Sequence, residues 1–156
     1  MPNRLRPMLS SFEPIGKTMG YKFTHRVRIE WGDTDPARIV FYPQYFRWFD
    51  ATCHRMFDEL GVSQDAIVDA GGVGFPIVEA HAEFRKPGYY ADWIEVRAEI
   101  AEVGRKVIKV VYQVWRDDIL LLEGYEKRVI AIRHPDDAKR MVAQEIPAHM
   151  RERLMA

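Results

Sequence analysis

The residues best suited to chemistry stand together in one run, Gly32-Asp33-Thr34-Asp35-Pro36-Ala37-Arg38-Ile39-Val40-Phe41-Tyr42-Pro43-Gln44-Tyr45. Two carboxylates and a proline turn separate an alternating apolar segment from an aromatic-rich segment of helical period. A strand-to-helix junction leaves backbone N–H groups free to face a ligand. An acid there can attack a carbonyl carbon or take a proton from water, and N–H groups at the helix start, near Tyr42 to Tyr45, can polarise that carbonyl. Asp35 also suits an Asx turn before Pro36, an ordinary use of aspartate. Asp33 reads as the acid that orients the loop.

Other nucleophiles are poorly placed. No serine lies in a nucleophile-elbow pattern. Cys53 falls within an apolar helical stripe and reads as a small core residue. As the single cysteine it excludes an internal disulfide and a cysteine-cluster metal site, and it fits a reducing compartment. His25, His54, His81, His134 and His149 show no ligand-like spacing, so no metal is expected. A carboxylate is the best remaining catalytic candidate.

The elements that must position this run follow from period and punctuation. Phe23, His25, Val27, Ile29 and Trp31 alternate with Thr24, Arg26, Arg28 and Glu30, which predicts a half-buried strand. Asp35-Pro36 stops it, because proline lacks the ladder donor and restrains the residue before it. Pro43 suits a first helical position, and Tyr45, Phe49, Thr52, Cys53, Met56, Phe57 and Leu60 recur at helical spacing until Gly61 ends the helix. A short helical piece is expected at 64–69, then a flexible turn at Gly71-Gly72-Val73-Gly74. Alternating segments at 75–86, 93–103, 105–116 and 119–133 predict four strands, with Asp117-Asp118 as a hairpin turn. A short helix is expected at 147–154.

Composition bounds the rest. The chain has 156 residues, with 23 basic and 23 acidic side chains that cancel. That fits one domain at 21–156 behind a mobile N-terminal extension at 1–20, and its overall charge points to neither nucleic acid nor an anionic membrane. No secretory or membrane-spanning segment is legible, so a cytoplasmic protein is expected. One helix cannot cover a long sheet on both faces, so a homo-oligomer is expected as well.

The run from Asp33 to Trp48 resembles the signature of the 4-hydroxybenzoyl-CoA thioesterase family of hotdog-fold proteins, and Gly72-Val73-Gly74-Phe75-Pro76-Ile77-Val78 resembles a second block of it. The resemblance spans roughly residues 21–133. It implies an α+β hotdog fold, with a five-stranded antiparallel sheet wrapped around one long central helix. Asp35 falls on the family's essential carboxylate. The resemblance further implies hydrolysis of an acyl-CoA thioester at a subunit interface of a dimer or homotetramer, with CoA lying across it and no cofactor. Tyr42 then lines the acyl pocket or donates from its hydroxyl, unless it only packs beside the helix start; Gly74, Phe75 and Pro76 form the wall opposite or simply a β-turn; and Arg105, Lys106 and Lys109 meet CoA phosphates or form a solvated strand end. Aromatic neighbours (Phe41, Tyr42, Phe75) favour an aryl acyl group such as hydroxybenzoyl. The family commonly has a small residue, often Gly, where this chain has Arg38. Either the loop keeps an ordinary backbone there, or the guanidinium meets an anion as a substrate-binding residue.

Alternative functions are a short- or medium-chain acyl-CoA or acyl-carrier-protein thioesterase, a hotdog dehydratase or hydratase, and a non-catalytic acyl-CoA-binding module. Dehydratase chemistry wants an acid–base pair that usually includes histidine, and the acid-bearing loop has none.

Overall fold

A computed structural model describes residues 20–156. Residues 1–19 of the expected N-terminal extension lie outside the described residues. The alternation after Tyr21 forms β1 (Lys22–Arg28), and the helical stripe forms α1 (Pro43–Glu59). Pro43 opens α1, where a missing N–H costs no helical bond. At its other end Gly61 takes φ 68, donating to the Asp58 carbonyl while Val62 donates to that of Phe57. That left-handed stop satisfies two carbonyls the helix leaves over. A short α2 (Gln64–Asp69) follows, capped by the Ser63 hydroxyl, which accepts from the Ala66 N–H at 3.1 Å.

Next come β2 (Gly72–Gly74), β3 (Ile77–Phe84), β4 (Trp93–Val103), β5 (Val107–Arg116), β6 (Ile119–His134), β7 (Asp137–Gln144) and α3 (Ala148–Leu154). The described ladders are antiparallel, in the order β1-β4-β5-β6-β2, with β3 and β7 also on β6. The five long strands are those expected. Two additions lengthen the sheet: the glycine turn at 72–74 pairs with Ile132 and Ala131 across a bulge, and β7 takes over from β5 along the end of β6.

The sheet curls around α1, whose Trp48, Phe49, Cys53, Met56 and Phe57 meet Ile94, Val96, Ile108, Val110, Leu121 and Leu122 in one core. Phe49 stacks on Tyr112 with ring centroids 4.2 Å apart. Burying each large apolar side chain here is worth about 1.5–3 kcal/mol, so α1 is held by its packing face rather than by propensity. The α+β hotdog architecture is thus present in the structure.

One expected inward residue is corrected. Trp31 is 67% exposed, because a 3-10 turn at Trp31–Asp33 ends the alternation before it can enter the core. It packs edge-on against Tyr90 instead. On β3, Val78 and Phe84 are also exposed; Ala82 packs on the core and Phe84 meets Tyr42 and Tyr45, so the described residues cover the apolar face of that strand only in part. Among the described residues no helix is long and apolar enough to cross a membrane, and no group of three His, Cys, Asp or Glu side chains could hold a metal.

Candidate active site

The acid-bearing run folds as a small hairpin. The Arg38 N–H donates to the Asp35 carbonyl at 2.8 Å and the Asp35 N–H to the Ile39 carbonyl at 3.0 Å, with Thr34 paired to Val40 beyond them. Pro36-Ala37-Arg38 is therefore a three-residue loop, a turn whose last residue must adopt the left-handed conformation. Arg38 does so, at φ 63. Glycine takes that conformation freely, whereas any other L-residue forfeits about 1–2 kcal/mol. Of the two expectations for this loop, the ordinary backbone is ruled out by the hairpin's geometry.

Both carboxylates have local duties, and they differ. Asp33 Oδ2 accepts from the Glu30 N–H at 2.8 Å, as expected of a loop-orienting acid. Asp35 Oδ1 accepts from the Ala37 N–H at 2.8 Å, the Asx turn that the sequence allowed. Its Oδ2 has no partner among the described residues. Turn-forming and reactive duties are thus compatible in one side chain.

The donors at the start of α1 are fewer than the sequence suggested. Val40 gives its N–H to Gly88, Phe41 to Asp33, Gln44 to Phe41 and Tyr45 to Tyr42. Pro43 has none. Only the Tyr42 N–H, among these, has no acceptor in the described residues, and it sits at the positive end of the helix dipole. An open groove of about 410 Å³ begins beside it, walled by Ile39, Val40, Tyr42, Tyr45, Phe84 and Pro87, with Arg85 and Lys86 at its rim.

Tyr42 meets Phe84 edge to face at 6.4 Å, and Tyr45 meets it at 5.9 Å. Burial pushes the Tyr45 hydroxyl up to about 12, so it stays a neutral wall. The loop behind the hairpin approaches closely: a Cβ on Gly88 would lie 2.9 Å from Ile29, 3.0 Å from the Tyr45 hydroxyl and 3.2 Å from Val40. Asp92 pins this loop by accepting from the Tyr89 N–H at 3.0 Å and from Arg116 at 2.6 Å.

Gly74, Phe75 and Pro76 lie elsewhere. They line a second depression with Asp50, His54, Gln64, Ile77, Arg128 and Met141. Gly74 takes φ 141, a backbone that strains any residue with a side chain, and a Cβ there would also displace the Gln64 amide. Asp50 is about 10 Å along α1 from Pro43, so one protomer does not bring this wall to Asp35. Arg105, Lys106 and Lys109 are likewise remote, at the opposite end of β4 from Trp93, roughly 30 Å of strand away. Arg105 pairs with Glu145 at 2.8 Å, and Lys109 lies 4.7 Å over the Tyr125 ring.

Sequence reasoning missed the buried charges behind the second depression. Arg128 is 1% exposed and Glu126 is 0%. The guanidinium donates to Glu126 Oε2 at 2.8 Å, to Asp50 at 2.9 Å and to the Phe75 carbonyl at 3.3 Å, while Tyr112 donates to Glu126 Oε2 at 2.8 Å. Glu126 Oε1 is buried with no partner among the described residues. Charged residues at alternate, inward positions of an apolar strand were the available signal. Cys53 stands beside this cluster, fully buried, its thiol pushed up to about 12 by desolvation, which suits the core role expected of it.

Residues 38–123 match the family described as the thioesterase superfamily. The chain is 36% identical over 137 residues to the 4-hydroxybenzoyl-CoA thioesterase of Pseudomonas sp. (strain CBS-3), covering 83% of this chain and 95% of that one. It is 30% identical over 98 residues to a 1,4-dihydroxy-2-naphthoyl-CoA hydrolase of Synechococcus elongatus, covering 60% of this chain and 68% of that one. Among solved structures, a 4-hydroxybenzoyl-CoA thioesterase mutant complexed with 4-hydroxybenzoyl-CoA superposes with a TM-score of 0.78 at 34% identity, covering 85% of this chain and 98% of the other. A gentisyl-coenzyme A thioesterase does so with a TM-score of 0.72 at 33% identity, covering 85% and 99%.

Proposed function

Because the chain belongs to the thioesterase superfamily and is a thioester hydrolase, we propose that it cleaves an acyl-CoA thioester to free acid and CoA, with Asp35 as the reacting carboxylate. One observation carries this reading. The unclaimed Tyr42 N–H belongs to a residue that lines an apolar groove, and the wall of that groove, Ile39 and Val40, is the return strand of the hairpin that holds Asp35.

A thioester carbonyl seated at the Tyr42 N–H develops negative charge on oxygen as it is attacked, and a donor aimed at that oxygen stabilises the transition state by about 3 kcal/mol. Asp35 Oδ2 supplies the attack in one of two ways. As nucleophile it bonds to the acyl carbon, the C–S bond breaks, CoA leaves as the thiolate, and water then opens the mixed anhydride. As general base it takes a proton from the water that attacks. CoA is part of the substrate in both routes, and no cofactor is required.

An aryl acyl group, such as a hydroxybenzoyl, is favoured by the aromatic edges of Tyr42, Tyr45 and Phe84 at the groove. The relatives named for 4-hydroxybenzoyl, gentisyl and 1,4-dihydroxy-2-naphthoyl thioesters act on aryl groups too. The working form in this reading is a homo-oligomer, a dimer or tetramer. Its second copy covers the apolar face of β3 and brings its own Gly74, Phe75 and Pro76 to the Asp35 groove, which one protomer does not do. Arg105, Lys106 and Lys109 then contact CoA phosphates from that second copy.

The test is a screen of purified protein across aryl-, short- and medium-chain CoA thioesters, read by release of free thiol. Asp35→Asn keeps an oxygen for the Ala37 N–H, so the loop persists while kcat on the best substrate falls by about a thousandfold or more. An Asp35→Asn protein as fast as wild type removes Asp35 from the reaction.

A further inference from the structure

The three-residue hairpin demands a left-handed residue at position 38, and glycine would meet that demand at no cost. The chain puts arginine there instead, at φ 63. Nothing among the described residues repays the strain: Arg38 is exposed and forms no ion pair, side-chain hydrogen bond or ring contact with them. Three other arginines of the surrounding elements are engaged. Arg28 pairs with Glu30 at 2.6 Å and lies 5.5 Å from the Tyr90 ring centroid, Arg85 pairs with Glu123 at 2.6 Å, and Arg116 with Asp92 at 2.6 Å.

Position is the second consideration. The Arg38 N–H is bonded to the carbonyl of Asp35 itself, and the next two residues, Ile39 and Val40, are groove wall. A guanidinium anchored at this point is one residue from the groove wall, on a backbone held by the hairpin bonds. Its planar fork matches a carboxylate or a phosphate in two parallel bonds, which a lysine cannot reproduce. We propose that Arg38 is a substrate-specificity residue that grips an oxyanion carried by the thioester, either a phosphate of CoA or a carboxylate on the acyl group. This rests on the thioesterase reading above, and it narrows the substrate to one bearing an anion within reach of the hairpin.

The test compares wild type, Arg38→Gly and Arg38→Lys on benzoyl-CoA, carboxybenzoyl-CoA and benzoyl-pantetheine. Arg38→Gly relieves the backbone, so a loss of folding does not obscure the result. The expected outcome is a rise in KM of roughly tenfold or more on the oxyanion-bearing substrate, with a smaller effect on kcat, and only partial rescue by lysine. A loss on both CoA thioesters that shrinks with benzoyl-pantetheine assigns the anion to CoA. A loss concentrated on carboxybenzoyl-CoA assigns it to the acyl group. Calorimetric Kd values for the corresponding thioethers, which cannot be hydrolysed, read the same contact without turnover. A wild type that binds the thioethers but hydrolyses none of the esters defeats the reaction and leaves Arg38 to be judged on Kd. Equal KM and equal Kd in wild type and Arg38→Gly overturn the proposal.

Discussion

In the hairpin after β1, Asp35 holds the Ala37 N–H with one oxygen and keeps the other uncovered, while Arg38 reaches no partner among the described residues. In the interior behind β6, Arg128 is bonded to Glu126, Asp50 and the Phe75 carbonyl, and Glu126 also takes the Tyr112 hydroxyl. Both regions carry an acid and an arginine two or three residues apart. In the interior, pairing offsets the desolvation of each charge, because a buried ion without a partner is far more costly than a solvated one. On the hairpin, solvent does that work, and the groups stay uncommitted. Buried charges persist through the partners they have; charges left open beside a groove are the ones able to meet a ligand.

The largest expected effect would break the comparison if it failed. Arg128→Met strands the Glu126 carboxylate and should cost about 3–5 kcal/mol of stability, a fall in Tm of roughly 10 °C for a chain of this size. The double variant Glu126→Leu with Arg128→Met should recover most of that, since no buried charge remains. Asp35→Asn should move the same denaturation curve by less than about 1 kcal/mol. A hairpin substitution that destabilised as much as Arg128→Met would mean that the two regions are not so different.

Next in size is the groove donor. Tyr42 has φ −53, a value proline tolerates, so Tyr42→Pro removes the one unclaimed N–H with little distortion. Thioester turnover should fall about a hundredfold or more, near 3 kcal/mol. Tyr42→Ala, which keeps the N–H, should lose much less. Similar losses in both variants would move the role from the backbone to the tyrosine ring.

A smaller effect has the opposite sign. Arg38→Gly should raise stability by about 1 kcal/mol, by removing a left-handed arginine from a turn built for glycine. Chemical denaturation reads it directly, and a loss of stability would show that Arg38 has an internal partner after all.

The smallest concerns His25, which lies between the two extremes. It is half-buried, 3.2 Å from the Thr52 hydroxyl, and its pKa is lowered first by burial and then by Arg55. The unfolded chain therefore takes this proton first as pH falls. Stability should be full above the ordinary histidine pKa of about 6.5 and decline through the window from there down to the lowered value. His25→Gln should flatten that part of a stability-versus-pH curve. An unchanged slope would assign the acid sensitivity to other groups.

Much of the scaffold was legible because its signals are local. Pro43 and Gly61 bracket α1, the alternation from Phe23 marks β1, and Asp117-Asp118 turns the chain between β5 and β6, with Asp117 at φ 52. What escaped depends on distant partners. β7 is mostly exposed and lacks an apolar period, so only the long β6 beside it makes it a strand. β2 is a glycine turn by composition and a strand by pairing. Glu126 and Arg128 lie within the strand expected at 119–133, but their burial was not legible, because sequence does not say which side of a strand a second layer will cover. At the junction, Asp35 stood out from its type and place, whereas the Tyr42 N–H emerged only when each neighbouring donor was matched to its acceptor.

The hairpin's tie to Gly88 and Tyr89 has a consequence for how the chain comes to be active. β4, β5 and β6 are joined by short turns and can zip in sequence, but β1 must find β4 across the whole of α1, pairing Lys22 with Glu99. Contacts of such long range form late, after loop-closure entropy has been overcome. The acid hairpin leans on that last-formed edge and on the loop beside it. A nascent or partly folded chain thus holds a sheet and a helix well before it holds a groove, and activity recovered during refolding should lag behind the return of buried tryptophan fluorescence.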